Sequence, residues 1–78
     1  MSSLQTQHAK VLRTERLIME NENAITLREA IKRTSKDETY KNRLTKEIEG
    51  HKVKLGDLEK ELPVFKAGYD ILLNQINN

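Results

Sequence analysis

Residues 44–76 read LTKEIEGHKVKLGDLEKELPVFKAGYDILLNQI, and large side chains recur through them in alternating steps of three and four. Leu44, His51, Leu58, Phe65 and Leu72 make one column, and Ile48, Leu55, Leu62, Tyr69 and Ile76 the other; only His51 is polar. A period near 3.5 residues belongs to a helix that buries one narrow stripe against a second helix. In heptad terms the first column occupies d and the second a. These positions are the expected oligomer interface, because a lone helix would leave the whole stripe in water.

The flanking charges specify a direction. In a parallel, in-register pair of chains, each g residue faces the e residue five positions later on the partner. Here those pairs are Glu47–Lys52, Lys54–Glu59 and Glu61–Lys66, each of opposite sign. Residues five apart do not sit side by side within one helix, so intrahelical pairing does not account for the pattern. The sequence thus favours a parallel homodimer. His51 would then help set the register as a polar core residue, or respond to pH if two imidazoles met across the dimer axis.

Pro63 falls inside the stripe, where proline removes a backbone hydrogen bond and costs about 3 kcal/mol in a helix interior. The heptad phase is the same on both sides of it, so the sequence favours a helix kinked near Pro63 and continuous through it over a separate short helix with Pro63 in its first turn. Toward the C-terminus, Ile71 and Leu73 lie outside the two-helix seam. They predict either a docking patch or contact with the chain's own N-terminal helix.

The N-terminal half has a different pattern. Leu4, Val11, Ile18 and Ile25 recur every seven residues, but the second core position of each heptad is polar. Leu17, Ala24 and Ile31, with Leu27 nearby, form another column. Apolar residues on two faces predict contact with more than one neighbour. Leu17, Ile18, Ala24, Ile25, Leu27 and Ile31 are therefore the candidate partner-docking residues of this half, as Ile71 and Leu73 are of the other. The division expected is residues 1–35 as an N-terminal helix and 36–78 as the coiled-coil helix.

Two readings compete at the junction. Ser35-x-x-Glu38 is a capping-box pattern that starts a helix after a turn. Glu29–Arg33, Arg33–Asp37 and Asp37–Lys41 are opposite charges four apart, and they run straight through the same stretch. With neither glycine nor proline to mark a turn, the sequence favours a continuous or gently bent helix over a hairpin.

Composition supports an all-α fold, either an extended helix or a two-helix chain with a coiled-coil C-terminal half. The 78 residues include no cysteine or tryptophan, one phenylalanine and two tyrosines, and 33% are charged. Such a chain builds a small core and has neither disulfides nor thiolate metal sites to reinforce it. The net charge of +2 is evenly mixed along the sequence, which gives no basic face for phosphate or anionic lipid. No apolar run is long enough to cross a membrane. Met1-Ser2-Ser3-Leu4-Gln5 lacks the pattern of a secretory signal, so an intracellular setting is expected.

Chemistry-bearing motifs are sparse. His8 and His51 are far apart in sequence, no serine has a nearby histidine, and phosphate loops and paired-histidine metal motifs are missing. The expectation is no enzyme, no cofactor, no metal and no small-molecule substrate. His8, Glu15, Glu22 and Glu29 form an acidic column that reads as solvated surface or as a strip for a basic partner. Arg28, Lys32, Arg33 and Lys36 form a basic cluster, too small and without the aromatics of a nucleic-acid footprint. The function expected is a protein–protein interaction module, an oligomerisation or scaffold element or a subunit of a larger assembly. The alternative is a small regulatory or inhibitory protein that lays a helix into a target's groove.

Overall fold

The computed structural model describes residues 3–77, so Met1, Ser2 and Asn78 of the two expected segments lie outside the described residues. It is an all-α, elongated hairpin of two helices, α1 (Ser3–Thr34) and α2 (Glu38–Asn77), with extents of 61 × 17 × 15 Å. Leu, Glu, Lys, Arg and Gln fill most positions of both helices, and these residues lose little side-chain freedom in helical backbone.

The expectation of a continuous helix through the junction is corrected. The chain reverses over Ser35, Lys36 and Asp37, and the physical reason is local. Asp37 caps α2: its Oδ1 accepts from the backbone N–H of Thr39 at 3.0 Å and of Tyr40 at 3.3 Å. The backbone N–H of Asp37 in turn donates to Ser35 Oγ at 3.3 Å. The start signal is thus Asp37 itself, and the Ser35-x-x-Glu38 box is not the cap. At the end of α1, Thr34 Oγ1 donates back to the carbonyls of Ile31 and Ala30 at 3.1 and 3.4 Å. The charges that argued for continuity find other partners. Lys41 pairs with Glu38 at 3.6 Å, and Glu29 with Lys52 of α2 at 4.0 Å.

Helix α2 continues through Pro63 as expected. Pro63 is on the exposed side, where water can satisfy the carbonyl that loses its N–H partner. No described residue has positive φ, so the glycines are not turn residues. A Cβ at Gly68 would lie 2.5 Å from Gln7 Nε2 of α1, the mobile end of a flexible side chain.

The seam between the helices is the core. Val11, Leu44, Ile48 and Leu58 are its buried apolar side chains, with Thr14 and Asn21 buried among them. The cap sets where α2 begins, so it should carry measurable stability. Asp37→Ala is expected to cost about 1 kcal/mol, seen as a melting temperature lower by about 4–8 °C for a chain of this size. Asp37→Ser, which keeps an acceptor, should lose much less. Equal melting of the alanine variant and wild type would show that the cap does not hold the turn.

Candidate functional site

With no reaction centre suggested by the sequence, the candidate site is the helix–helix seam and the faces around it. The α2 stripe packs on α1. Leu44, Ile48 and Leu58 are buried, and His51, Leu55, Leu62, Phe65, Tyr69 and Leu72 are half-buried; Ile76 is exposed. The column expected to meet a second chain is therefore covered, over most of its length, by the chain's own N-terminal helix.

The opposing wall on α1 is mixed. Leu4, Val11, Ile18 and Ile25 line one edge and Leu17, Ala24 and Ile31 the other, all buried or half-buried. Between them runs Gln7, Thr14, Asn21 and Arg28, the polar second heptad position. These polar residues occupy the centre of the covered face. Each is handled differently. Thr14 Oγ1 donates to the Lys10 carbonyl at 2.8 Å, which satisfies a buried hydroxyl within its own helix. Asn21 Nδ2 donates to the Leu17 carbonyl at 2.8 Å, and Asn21 Oδ1 lies 2.9 Å from His51 Nδ1.

The first of these Asn21 contacts fixes the amide orientation, because a carbonyl only accepts. Oδ1 therefore faces the imidazole, and Nδ1 must carry the proton that donates to it. His51 is half-buried in this seam, and its partner is Asn21 of α1. Nearer the turn, Arg28 Nε meets Glu47 Oε1 at 3.2 Å, with Arg43 3.7 Å from the other Glu47 oxygen. Near the open end, the His8 and Tyr69 rings lie with centroids 5.2 Å apart, and Lys10 Nζ sits 5.8 Å from the Phe65 centroid.

Among the expected docking residues, Leu17, Ile18, Ala24, Ile25 and Ile31 are half-buried and face α2, and Leu73 is half-buried as well. Leu17 lines a groove with Leu58 and Phe65, and Ile18 lines another with Leu62 and Met19. Leu27 and Ile71 stay exposed, at 59% each. The charges that suggested a parallel dimer are partly engaged inside the chain, Glu47 by Arg28 and Arg43 and Lys52 by Glu29. The basic cluster is split: Arg28 turns to Glu47, while Lys32 and Arg33 line a shallow groove shared with Glu29 and Glu49.

Sequence reasoning missed two features. One is the role of the polar α1 column, whose seven-residue spacing in phase with Val11 and Ile18 was its only signal. The other is that Val53 and Val64 are 68% and 66% exposed on the back of α2. Among the described residues, no group of three or more His, Cys, Asp or Glu side chains could hold a metal ion, and no helix is long and apolar enough to cross a membrane. Comparison with protein-family models, curated proteins and solved structures gives no match.

The Asn21–His51 pair is open to a double-mutant cycle. Asn21→Leu or His51→Leu alone leaves a polar group without its partner and should cost about 1 kcal/mol. The double variant should recover much of that loss, with a coupling of about 0.5–3 kcal/mol read from denaturant melts. Additive losses would show that the pair does not hold the seam.

Proposed function

We propose that this chain is a non-enzymatic protein–protein interaction module, a helical hairpin that works by packing against further helices, its own copies among them. It would serve as an oligomerisation or scaffold element, or as a subunit of a larger assembly, inside the cell. The observation that carries the reading is the balance of apolar surface. Among the described residues, four large apolar side chains are buried, whereas Leu12, Met19, Leu27, Tyr40, Val53, Val64, Ile71 and Ile76 are each at least 40% exposed.

The area agrees. The chain exposes 5960 Å², against roughly 4,900 Å² for a compact monomer of 9.1 kDa. That excess of roughly 1,000 Å² is comparable to the roughly 800 Å² each partner contributes to a standard interface. Parallel pairing through Leu44–Ile76 is open to this chain only if α1 leaves the stripe, as in a domain swap. Association of closed hairpins has to use the outer faces.

A second reading is supported by α1. Leu12 and Met19 are 55% and 62% exposed, and Met19 borders a groove rimmed by Glu15 and Glu22. These features suit a small regulatory protein that docks this side onto a basic helical target.

Sedimentation equilibrium over about a hundredfold range from low micromolar upward tests self-association directly. The expected result is a mass that rises with concentration from 9.1 kDa toward twice that value. A constant 9.1 kDa at every concentration would overturn the self-association on which the first reading depends.

A further inference from the structure

Helix α2 carries a second stripe. From Lys46 to Ile71, the column on the side away from α1 advances by steps of four and three, and every residue in it is exposed. These are the c and f positions of the heptad that places the inner stripe at a and d. A helix with heptad columns on two opposite sides is built to lie between two neighbours. One neighbour is α1.

We infer that the other is α2 of a second copy, packed antiparallel about a two-fold axis that passes near residues 58 and 59. This rests on the self-association just proposed and assigns it a face. The support is the self-complementarity of the column when it is turned end for end. Asp57 then faces Lys60 of the second copy, and Lys60 faces its Asp57. The next layer sets Val53 against Val64, the two most exposed large apolar side chains among the described residues. Gly50 then meets Ala67, a small–small contact, and nothing lies within 4 Å of a Cβ placed on Gly50. At the ends, Lys46 lays its stem along Ile71 and its ammonium beside Asp70.

Because the axis is two-fold, each contact occurs twice. Among the described residues, Lys46, Asp57 and Lys60 have no ion pair within the chain, so these charges are available to a partner. The flanking column agrees, since Lys54 falls opposite Glu61. One contact opposes the register, Glu49 approaching Asp70, with Lys46 placed between them.

The same column excludes the parallel alternative. A parallel, in-register pair would set Lys46 on Lys46, Asp57 on Asp57 and Lys60 on Lys60 inside the contact, three like-charge layers. Lys46 to Ile71 spans roughly 38 Å of helix at 1.5 Å per residue. The assembly is a row of four helices with the two α2 helices in the middle.

Two sets of variants of the full chain test this by sedimentation equilibrium and non-reducing electrophoresis. The first is Val53→Cys with Val64→Cys in a chain that has no native cysteine. On one helix these positions are roughly 16 Å apart, beyond the roughly 7 Å Cα separation that a disulfide spans. A covalent dimer on mild oxidation is the expected result. The second is a charge exchange. Asp57→Lys and Lys60→Asp should each weaken self-association at least about tenfold, by creating two like-charge contacts. Mixed together, the two variants should associate again, because each then supplies the charge the other lacks. Repair between chains cannot come from a change in intrahelical pairing.

A wild type that dimerises without the 53–64 crosslink, and without repair on mixing, would overturn the inferred face and leave the proposed function standing. Rapid crosslinking of Leu58→Cys instead would assign the dimer to the inner stripe in parallel register, and would also overturn it. A wild type that stays monomeric would overturn the inference and self-association together.

Discussion

At mid-length of the hairpin, Asn21 is held from two sides, by its own helix through the Leu17 carbonyl and by α2 through His51. That three-group arrangement is what makes the seam unique. Apolar columns that repeat every seven residues can slip by one heptad and still bury similar side chains. The polar groups cannot. A slip of seven residues would place Asn21 opposite a leucine, leave the imidazole without its acceptor, and separate Arg28 from Glu47. An unpaired polar group in a covered seam is penalised more heavily than a made hydrogen bond is rewarded. The register is therefore set by rejection of the alternatives, with the cap at Asp37 fixing the turn from outside.

The same polar column limits how much the hairpin can stabilise itself. Gln7, Thr14, Asn21 and Arg28 occupy the centre of the covered face of α1, where a conventional two-helix seam would place leucines. What they gain in specificity they lose in apolar burial, since α1 meets α2 through its two edges. The buried apolar set is correspondingly short, and no side chain in it is completely enclosed. A molecule with a specific but thin core gains most from covering its outer surface. On the pairing inferred above, the second α2 column is where such cover would lie.

The all-helical fold and the inner stripe of α2 were legible in sequence because ten heptad core positions with a single polar residue among them leave little choice but a helix packed on a helix. The two-helix chain was one of two readings the sequence left open, and the hairpin was the less favoured of them. Ser35-Lys36-Asp37 carries no helix breaker, and the charges spaced four apart on either side suggested continuity. What decides the turn is a side-chain cap together with the burial gained when α1 covers Leu44 through Leu72, and that burial is a long-range effect that local spacing does not report. The polar α1 column was visible, but the apolar columns on either side of it pointed to several neighbours. Its role appears only once His51 and Glu47 stand opposite Asn21 and Arg28. The outer column was hidden for another reason: it includes two lysines, an aspartate and a glycine, so its mean character is hydrophilic, and its pattern emerges only when the inner side is known.

The 61 Å length of this two-helix rod has a hydrodynamic consequence. Its radius of gyration is 17.6 Å, which a compact domain reaches only at about 240 residues. Friction rises with elongation, so a single 78-residue chain diffuses more slowly and elutes earlier than a compact globule of its own mass. Its tumbling is also strongly anisotropic: amides whose N–H bonds lie along the helix axes relax as if attached to the larger body. A Stokes radius therefore describes the shape of this molecule before it describes how many copies are present.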